Sequence, residues 1–367
     1  GASIQPFELR TTDYDNDRHF FLSQYFVDKY AKSLEQYPLI NSQINITRIE
    51  VWITNRNAST EDFRSIVAFA DLGEVGTSNL VNFTNITPNA DSPFVSLQNI
   101  PSNSTNTIAG LLTQSSGIRD VGTVNTTLQS SPYNMQEGSD YSLLQNARKL
   151  QANEYTLNPQ LGFISLNRRL NDGEVLAVAY EYTVAGNVTD ATGAPINQNS
   201  FKVGEFSNDG IQAPNNLAVK LLRSEILTTK RDDRNGGLEQ FPTWRLMMKN
   251  VYALGAFPLS QDGFRFEVQY RDDATGIPSN TLQNAQTPEI ANKPLLQVLR
   301  LDQLDQSQFR DADGYFDYVE GITVNSQNGF IFFPEPEPFG GNLEGQLTSQ
   351  EDKDNYVFKE LYLDTKI

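Results

Sequence analysis

The chain of 367 residues contains no cysteine. Disulfides and thiolate-ligated metal sites are therefore excluded, while the compartment stays open. It contains one histidine, His19. Histidine-ligated zinc and haem sites fall with that count, and a Ser-His-Asp triad would have to use His19. His19 stands beside Phe20 and Phe21 and no G-x-S-x-G motif occurs, so it reads as a structural histidine near a helix start. No run of about 18 apolar residues exists, so no transmembrane helix is expected. No basic-then-apolar leader opens the chain. Both ends, Gly1–Ala2 and the final Thr365–Ile367, read as cuts in a longer polypeptide. The phosphate-cradling patterns G-x-x-x-x-G-K and G-x-G-x-x-G are missing too.

Apolar residues make up only 38% of the chain, and 45 acidic residues against 28 basic ones leave a net charge of −17. An acidic surface repels phosphate backbones and anionic lipids, so no nucleic-acid partner and no peripheral membrane binding are expected. The apolar shortfall is taken up by Asn, Gln, Ser and Thr. That composition suits a β-rich extracytoplasmic protein with long polar loops.

Periodicity predicts a mainly β fold with a few helices (α+β), built from antiparallel sheets or β-sandwich-like units with long polar loops. Leu22, Tyr25, Phe26 and Tyr30 recur at helical spacing within 20–37, and Pro38 ends the run. Strands are predicted over 44–55 and 64–72, as an antiparallel pair. A short helix is predicted over 141–150, with Asp140 as its cap. Strands follow over 154–157, 162–167, 174–183 and 201–206, separated by strong turn chemistry such as Asn171–Asp172–Gly173. Residues 218–226 and 243–254 are ambiguous between strand and helix by period alone. Phe264, Phe266, Val268 and Tyr270 alternate with polar residues and predict a strand. Further strands are expected over 295–301, 315–319 and 330–333, with a strand or short helix over 357–362. Residues 76–138 and 184–200 read as polar excursions. The expected domains are 1–138, 139–260 and 261–367. YTLNPQLGFISL from Tyr155 and ITVNSQNGFIFF from Ile322 match without a gap. A shared hairpin explains the match: each polar turn needs a glycine at positive φ. Duplication of a larger unit is the alternative.

Few residues suggest chemistry. Asp311, Asp313, Asp317 and Glu320, with Gly314, fall where an EF-hand loop places its later ligands, but its first ligand position would be Phe309. They form a candidate calcium site, and no other cofactor is implied. Asp13, Asp15 and Asp17 have the spacing without the glycine, and charge complementarity at a helix N-terminus explains them equally well. Trp52 falls on the polar face of its strand. It is the candidate surface aromatic for sugar contact, unless it packs on a neighbouring helix.

Seven segments carry a family pattern in order: HFFLSQYF (His19–Phe26), RIEVWITN (Arg48–Asn55), the NARKL–EY–LGFISLN block from Asn146, VGEFSNDG (Val203–Gly210), LMMKNVYALG (Leu246–Gly255), DGYFDYVEG (Asp313–Gly321) and FPEPEPFG (Phe333–Gly340). Together they resemble the SprA/Sov family, the outer-membrane translocon of the type IX secretion system in Bacteroidota. The resemblance implies a soluble, non-catalytic insertion in a giant outer-membrane barrel that exports folded cargo, serving gliding motility and virulence secretion. It implies an extracellular cap or pore-lining position rather than a periplasmic one. The implied partners are the rest of the same barrel, a lipid-binding outer-membrane barrel that shuttles cargo, a periplasmic plug protein and the secreted cargo. Two other readings stay open: a carbohydrate-binding or adhesin module, and a glycoside hydrolase with two carboxylates facing one cleft.

Overall fold

The computed structural model describes residues 6–56, 63–74, 100–186, 194–195, 198–232, 237–273 and 275–359. It forms two compact units. Asp17–Lys29 and Ser42–Met247 make a barrel unit; Gly1–Asn16, Tyr30–Asn41 and Met248–Ile367 make an aromatic unit. This grouping differs from the expected three-way division, because strands on either side of residue 138 pair with each other.

In chain order the barrel unit has β1 (His19–Phe21), the first part of α1 (Gln24–Ser33, counted with the aromatic unit from Tyr30 on), β2 (Ile44–Ile53), β3 (Phe63–Phe69), α2 (Val124–Gln129), β4 (Tyr141–Lys149), β5 (Tyr155–Asn158), β6 (Phe163–Leu166), β7 (Leu176–Val184), β8 (Ser200–Val203), β9 (Leu217–Arg223), β10 (Lys230–Asp232), β11 (Leu238–Gln240) and α3 (Pro242–Leu246). Strands β2, β4, β3, β9 and β7 pair in that order, and β7 returns to β2, closing a five-stranded barrel. The β3–β9 pairing is parallel and the other barrel pairings are antiparallel. Closure removes the open edges that would otherwise seek another chain. Most of β7 and all of β9 are buried, so they read as near-continuous apolar runs rather than as alternating ones. One core joins Trp52 and Phe206 to Ala68, Ala147, Ala177 and Ala179. The small residues leave room for the large rings, as dense interior packing requires.

Two expectations fail here for one reason. Residues 141–149 form strand β4 rather than a helix, and β4 lies between β2 and β3, which therefore do not pair directly. Helix propensity is a weak prior. It yields because both backbone edges of this segment meet strands, while Ala147 is buried in the core. The helix expected over 20–37 is also shorter, with β1 occupying its start. Residues 75–99 and 187–193, parts of the two polar excursions, lie outside the described residues, as do 360–362 of the segment expected over 357–362.

The aromatic unit has β12 (Val251–Ala253), β13 (Tyr270–Arg271), β14 (Pro278–Ser279), α4 (Leu295–Val298), β15 (Val324–Asn325), β16 (Phe330–Phe332), α5 (Gly341–Gln346) and α6 (Gln350–Tyr356). Its core is tilted and edge-to-face rings more than sheet: the Phe266 ring centre lies 5.1 Å from that of Phe316, and that of Phe333 lies 5.4 Å from those of both Tyr252 and Phe339. Such contacts add about 0.5–1.5 kcal/mol each beyond area burial. The strand expected over 264–270 is not formed before Tyr270, where β13 begins. Its alternation is nevertheless real, since Phe264, Phe266, Val268 and Tyr270 all pack on the core clusters. Residues 295–298 are helix where a strand was expected, and 315–319 carry no strand.

The sequence echo is a structural one. Asn158 pairs with Phe163 and Leu157 with Ile164; Asn325 pairs with Phe330 and Val324 with Ile331. The register is the same. Each hairpin also gains a third strand at the same place, Phe21 opposite Phe163 and Ala253 opposite Phe330. The Leu22 N–H donates to the Gly162 carbonyl at 3.0 Å and the Leu254 N–H to the Gly329 carbonyl at 2.9 Å. The repeat is thus a three-stranded sheet, although HFF and VYA share no residue.

Both turn glycines sit at positive φ, +66° and +70°. A Cβ at Gly329 would lie 2.1 Å from the Ala256 carbonyl oxygen, and one at Gly162 the same distance from the Phe26 ring. Gly329→Ala is expected to cost about 3 kcal/mol, combining left-handed strain with overpacking. Gly263→Ala, also at positive φ but with open space around it, should cost only about 1–2 kcal/mol. Urea unfolding of the two variants checks this; equal losses would mean that the close approach carries no energy.

Candidate functional site

The sequence-predicted acidic residues lie around one loop of the aromatic unit, residues 303–316. Asp302 and Asp317 close its base. Asp302 accepts the N–H groups of Asp313 and Gly314, each at 3.0 Å. Buried Asp317 accepts the N–H groups of Gln303 at 2.7 Å and Leu304 at 3.2 Å, and the Tyr37 hydroxyl at 2.6 Å. Asp313 accepts the Tyr315 N–H, exposed Glu320 accepts the Ser326 N–H, and Asp311 is exposed. The proposed calcium ligands are thus spread over separate turns. Among the described residues no group of three or more His, Cys, Asp or Glu could hold a metal ion. The EF-hand-like spacing arises because backbone N–H groups at tight turns need carboxylate acceptors, and Gly314 supplies the positive φ of one such turn. The closed loop presents Phe309 and Tyr315, 72% and 60% exposed.

Tyr37→Phe removes the hydroxyl donor from buried Asp317. The expected loss is about 2 kcal/mol, because a buried carboxylate keeps its desolvation cost when a donor is deleted. Chemical unfolding measures it; a change below about 0.5 kcal/mol would show that the hydroxyl does not hold the loop.

Trp52 is 1% exposed and belongs to the barrel core, with the Lys149 ammonium 5.9 Å from its ring centre. It is not a surface platform. The strand is covered on both faces at this end: Trp52 enters the barrel core once the sheet closes, and Val51 and Ile53, on the opposite face, are buried as well.

The barrel unit instead buries a set of charges. Lys220, in the middle of β9, is fully buried and reaches Glu74 at 2.8 Å and the Ala70 carbonyl. Arg231 reaches Asp140 at 3.0 Å and Glu239 at 2.5 Å. Asp71 is buried, and its carboxyl is pushed up to about 7 by desolvation, with Arg231 and Lys220 opposing the shift. Arg119 donates all five of its N–H groups: two to Glu205 at 2.6 and 2.7 Å, and one each to the carbonyls of Thr113, Asn216 and Leu112 at 3.0, 3.0 and 2.7 Å. Glu205 in turn accepts the Ala218 N–H at 2.7 Å, at the start of β9. The pair fastens residues 107–129 to the barrel wall. In the sequence Asp71 stands between Ala70 and Leu72 and Lys220 between Val219 and Leu221, charges flanked by apolar residues; Arg119 and Glu205 have no such signal.

A family model described as "Motility related/secretion protein", SprA_N, matches residues 1–199. The chain belongs to the SprA_N family. No curated protein matches it. The SprA_N segment contains four of the five barrel strands, β2, β3, β4 and β7, while β9, which closes the barrel, lies beyond it. The family is one of secretion and motility proteins rather than of enzymes.

In the three-stranded sheet of β1, β6 and β5, the one histidine of this SprA_N family chain is buried beside a serine. His19 Nδ1 lies 2.7 Å from Ser165 Oγ, and the two residues face each other across β1 and β6. Both are buried. Desolvation, followed by the nearby Arg18 charge, pushes the imidazole down to about 3, so it is neutral at physiological pH. The pair pins two strands together.

Proposed function

We propose that this chain is a non-catalytic segment of an outer-membrane protein-secretion channel, placed on the extracellular side as a cap or pore-lining insertion. The family match over residues 1–199 carries the reading. It is supported by a fold whose charges are spent on internal fastening, with Lys220, Arg119 and Glu205 all buried. The segment works by shape and charge. A closed barrel and an aromatic core hold polar loops in fixed positions, and a net charge of −17 keeps exported chains from adhering without contact-specific chemistry. Its partners are the rest of the same barrel, a lipid-binding cargo-shuttle barrel, a periplasmic plug and the cargo in transit.

The chain has no cysteine, so one introduced thiol reports its side of the membrane. Ile277→Cys places it at a side chain that is 67% exposed. A membrane-impermeant maleimide is expected to label this site on intact cells. Labelling only after the outer membrane has been opened would place the segment in the periplasm and overturn the extracellular assignment.

A further inference from the structure

The barrel unit contains a cavity of about 230 Å³ lined by Ile53, Thr54, Asn55, Arg56, Arg148, Arg168, Asn171 and Glu174. Three of these are arginines, and the lining holds one carboxylate, Glu174. The guanidinium groups come from three separate places: the segment after β2, the end of β4 and the segment after β6. In a chain with 45 acidic and 28 basic residues, such convergence runs against the overall charge.

The arginines are positioned by their own partners. Arg168 forms a two-pronged pair with Glu174, both distances 2.9 Å, and Arg148 forms one with Glu154 at 2.8 and 2.9 Å. Glu174, with a side chain 1% exposed, also accepts the Asn171 N–H at 2.7 Å. Arg56 is held more loosely. Its Nε lies 3.7 Å from Glu174, its Nη2 donates to the Asp172 carbonyl, and its side chain is 47% exposed. Glu174 therefore orients Arg56 and Arg168 while Glu154 holds both prongs of Arg148, so two carboxylates stand against three guanidinium groups, and Arg56, the most loosely held, is the one left without a close carboxylate of its own. The volume lies below the roughly 300 Å³ at which pockets for drug-sized ligands begin. It suits one small anionic group. Planar forks of N–H donors match a carboxylate in two-pronged geometry.

We propose that this cavity is a carboxylate-binding site that takes a peptide carboxylate, either a chain terminus or an Asp or Glu side chain. The inference goes beyond the secretion reading and stands on the cavity alone.

The test is an NMR titration of the protein, following the arginine Nε–Hε signals. The probes are N-acetyl-diglycine, its C-terminal amide, N-acetyl-glutamate α-amide with its free side-chain carboxyl, and inorganic phosphate. Both carboxylates are expected to shift the Arg56 and Arg168 signals saturably, with Kd values on the order of 1 mM. The tighter of the two names the source. Arg56→Gln should weaken binding at least about fivefold, by loss of one charged donor, with an unchanged melting temperature. Arg265→Gln, at an exposed position in the other unit, should bind as the parent does. Equal shifts from the acid and the amide, tighter binding of phosphate than of either carboxylate, or parental affinity in Arg56→Gln would each overturn the proposal.

Discussion

Asp71→Asn and His19→Gln are expected to tilt the pH dependence of stability in opposite directions. Asp71 has a folded value near 7, above its ordinary 3.8. Between those two values the folded state holds a proton that the unfolded chain has released, so this group's contribution falls as pH rises through that window. His19 has a folded value near 3, below its ordinary 6.5. Between 3 and 6.5 the unfolded chain binds a proton that the folded state refuses, so this contribution is complete above pH 6.5 and is lost as pH falls. Each slope is about 1.4 kcal/mol per pH unit, and in the overlap they cancel. The parent protein is therefore expected to show little pH dependence from this pair between about pH 4.5 and 6.5. Removing Asp71 exposes the histidine slope, and Asp71→Asn gains about 3 kcal/mol relative to the parent on going from pH 4.5 to 6.5. Removing His19 exposes the aspartate slope, and His19→Gln loses a similar amount relative to the parent over the same rise. Urea titrations across this range decide it. Two variants that track the parent in parallel would show that neither group is held in the protonation state that its burial dictates.

Arg119→Met is expected to cost about 3–5 kcal/mol, the usual range when one partner of a buried ion pair is removed. Glu205 would keep its buried charge and lose both guanidinium contacts. The carbonyls of Leu112, Thr113 and Asn216 would lose their donors as well. The double change Arg119→Met with Glu205→Leu should recover part of the loss, since an apolar pair does not strand a charge. Because the arginine ties residues 107–129 to the barrel, limited proteolysis should cut that segment faster in the single variant. Loss below about 1 kcal/mol with unchanged cleavage would mean the segment is held by its apolar residues Ile108, Leu111, Val124 and Leu128 alone.

The mainly β class, the strands of the 154–183 block and the echoed hairpins were legible because their alternation and turn glycines act locally. Gly162 and Gly329 both adopt the positive φ that their turns demanded. Strand β4 was not legible, since YSLLQNARKL satisfies a helical pattern and becomes a strand only when β2 and β3 flank it. Barrel closure was equally hidden, because it is fixed by long-range pairings such as β2 with β7. That one ignorance misplaced Trp52, whose apparent polar face is interior once the sheet closes. The acidic loop misled for a different reason. Carboxylates that cap turn N–H groups and carboxylates that bind calcium follow similar spacings, and only the directions of Asp302 and Asp317 separate the two uses. The arginine-lined cavity draws on residues 56, 148 and 168, too far apart in the chain for any motif to unite them.

The central claim is that this chain serves protein export as fixed, non-catalytic architecture. Its most direct test is to excise the segment from the intact secretion protein, confirm that the remainder still reaches the outer membrane, and measure both cargo release and entry of a large impermeant dye. The account predicts that export falls and that the membrane becomes leaky. Cells that export cargo at the parental rate and still exclude the dye would contradict it.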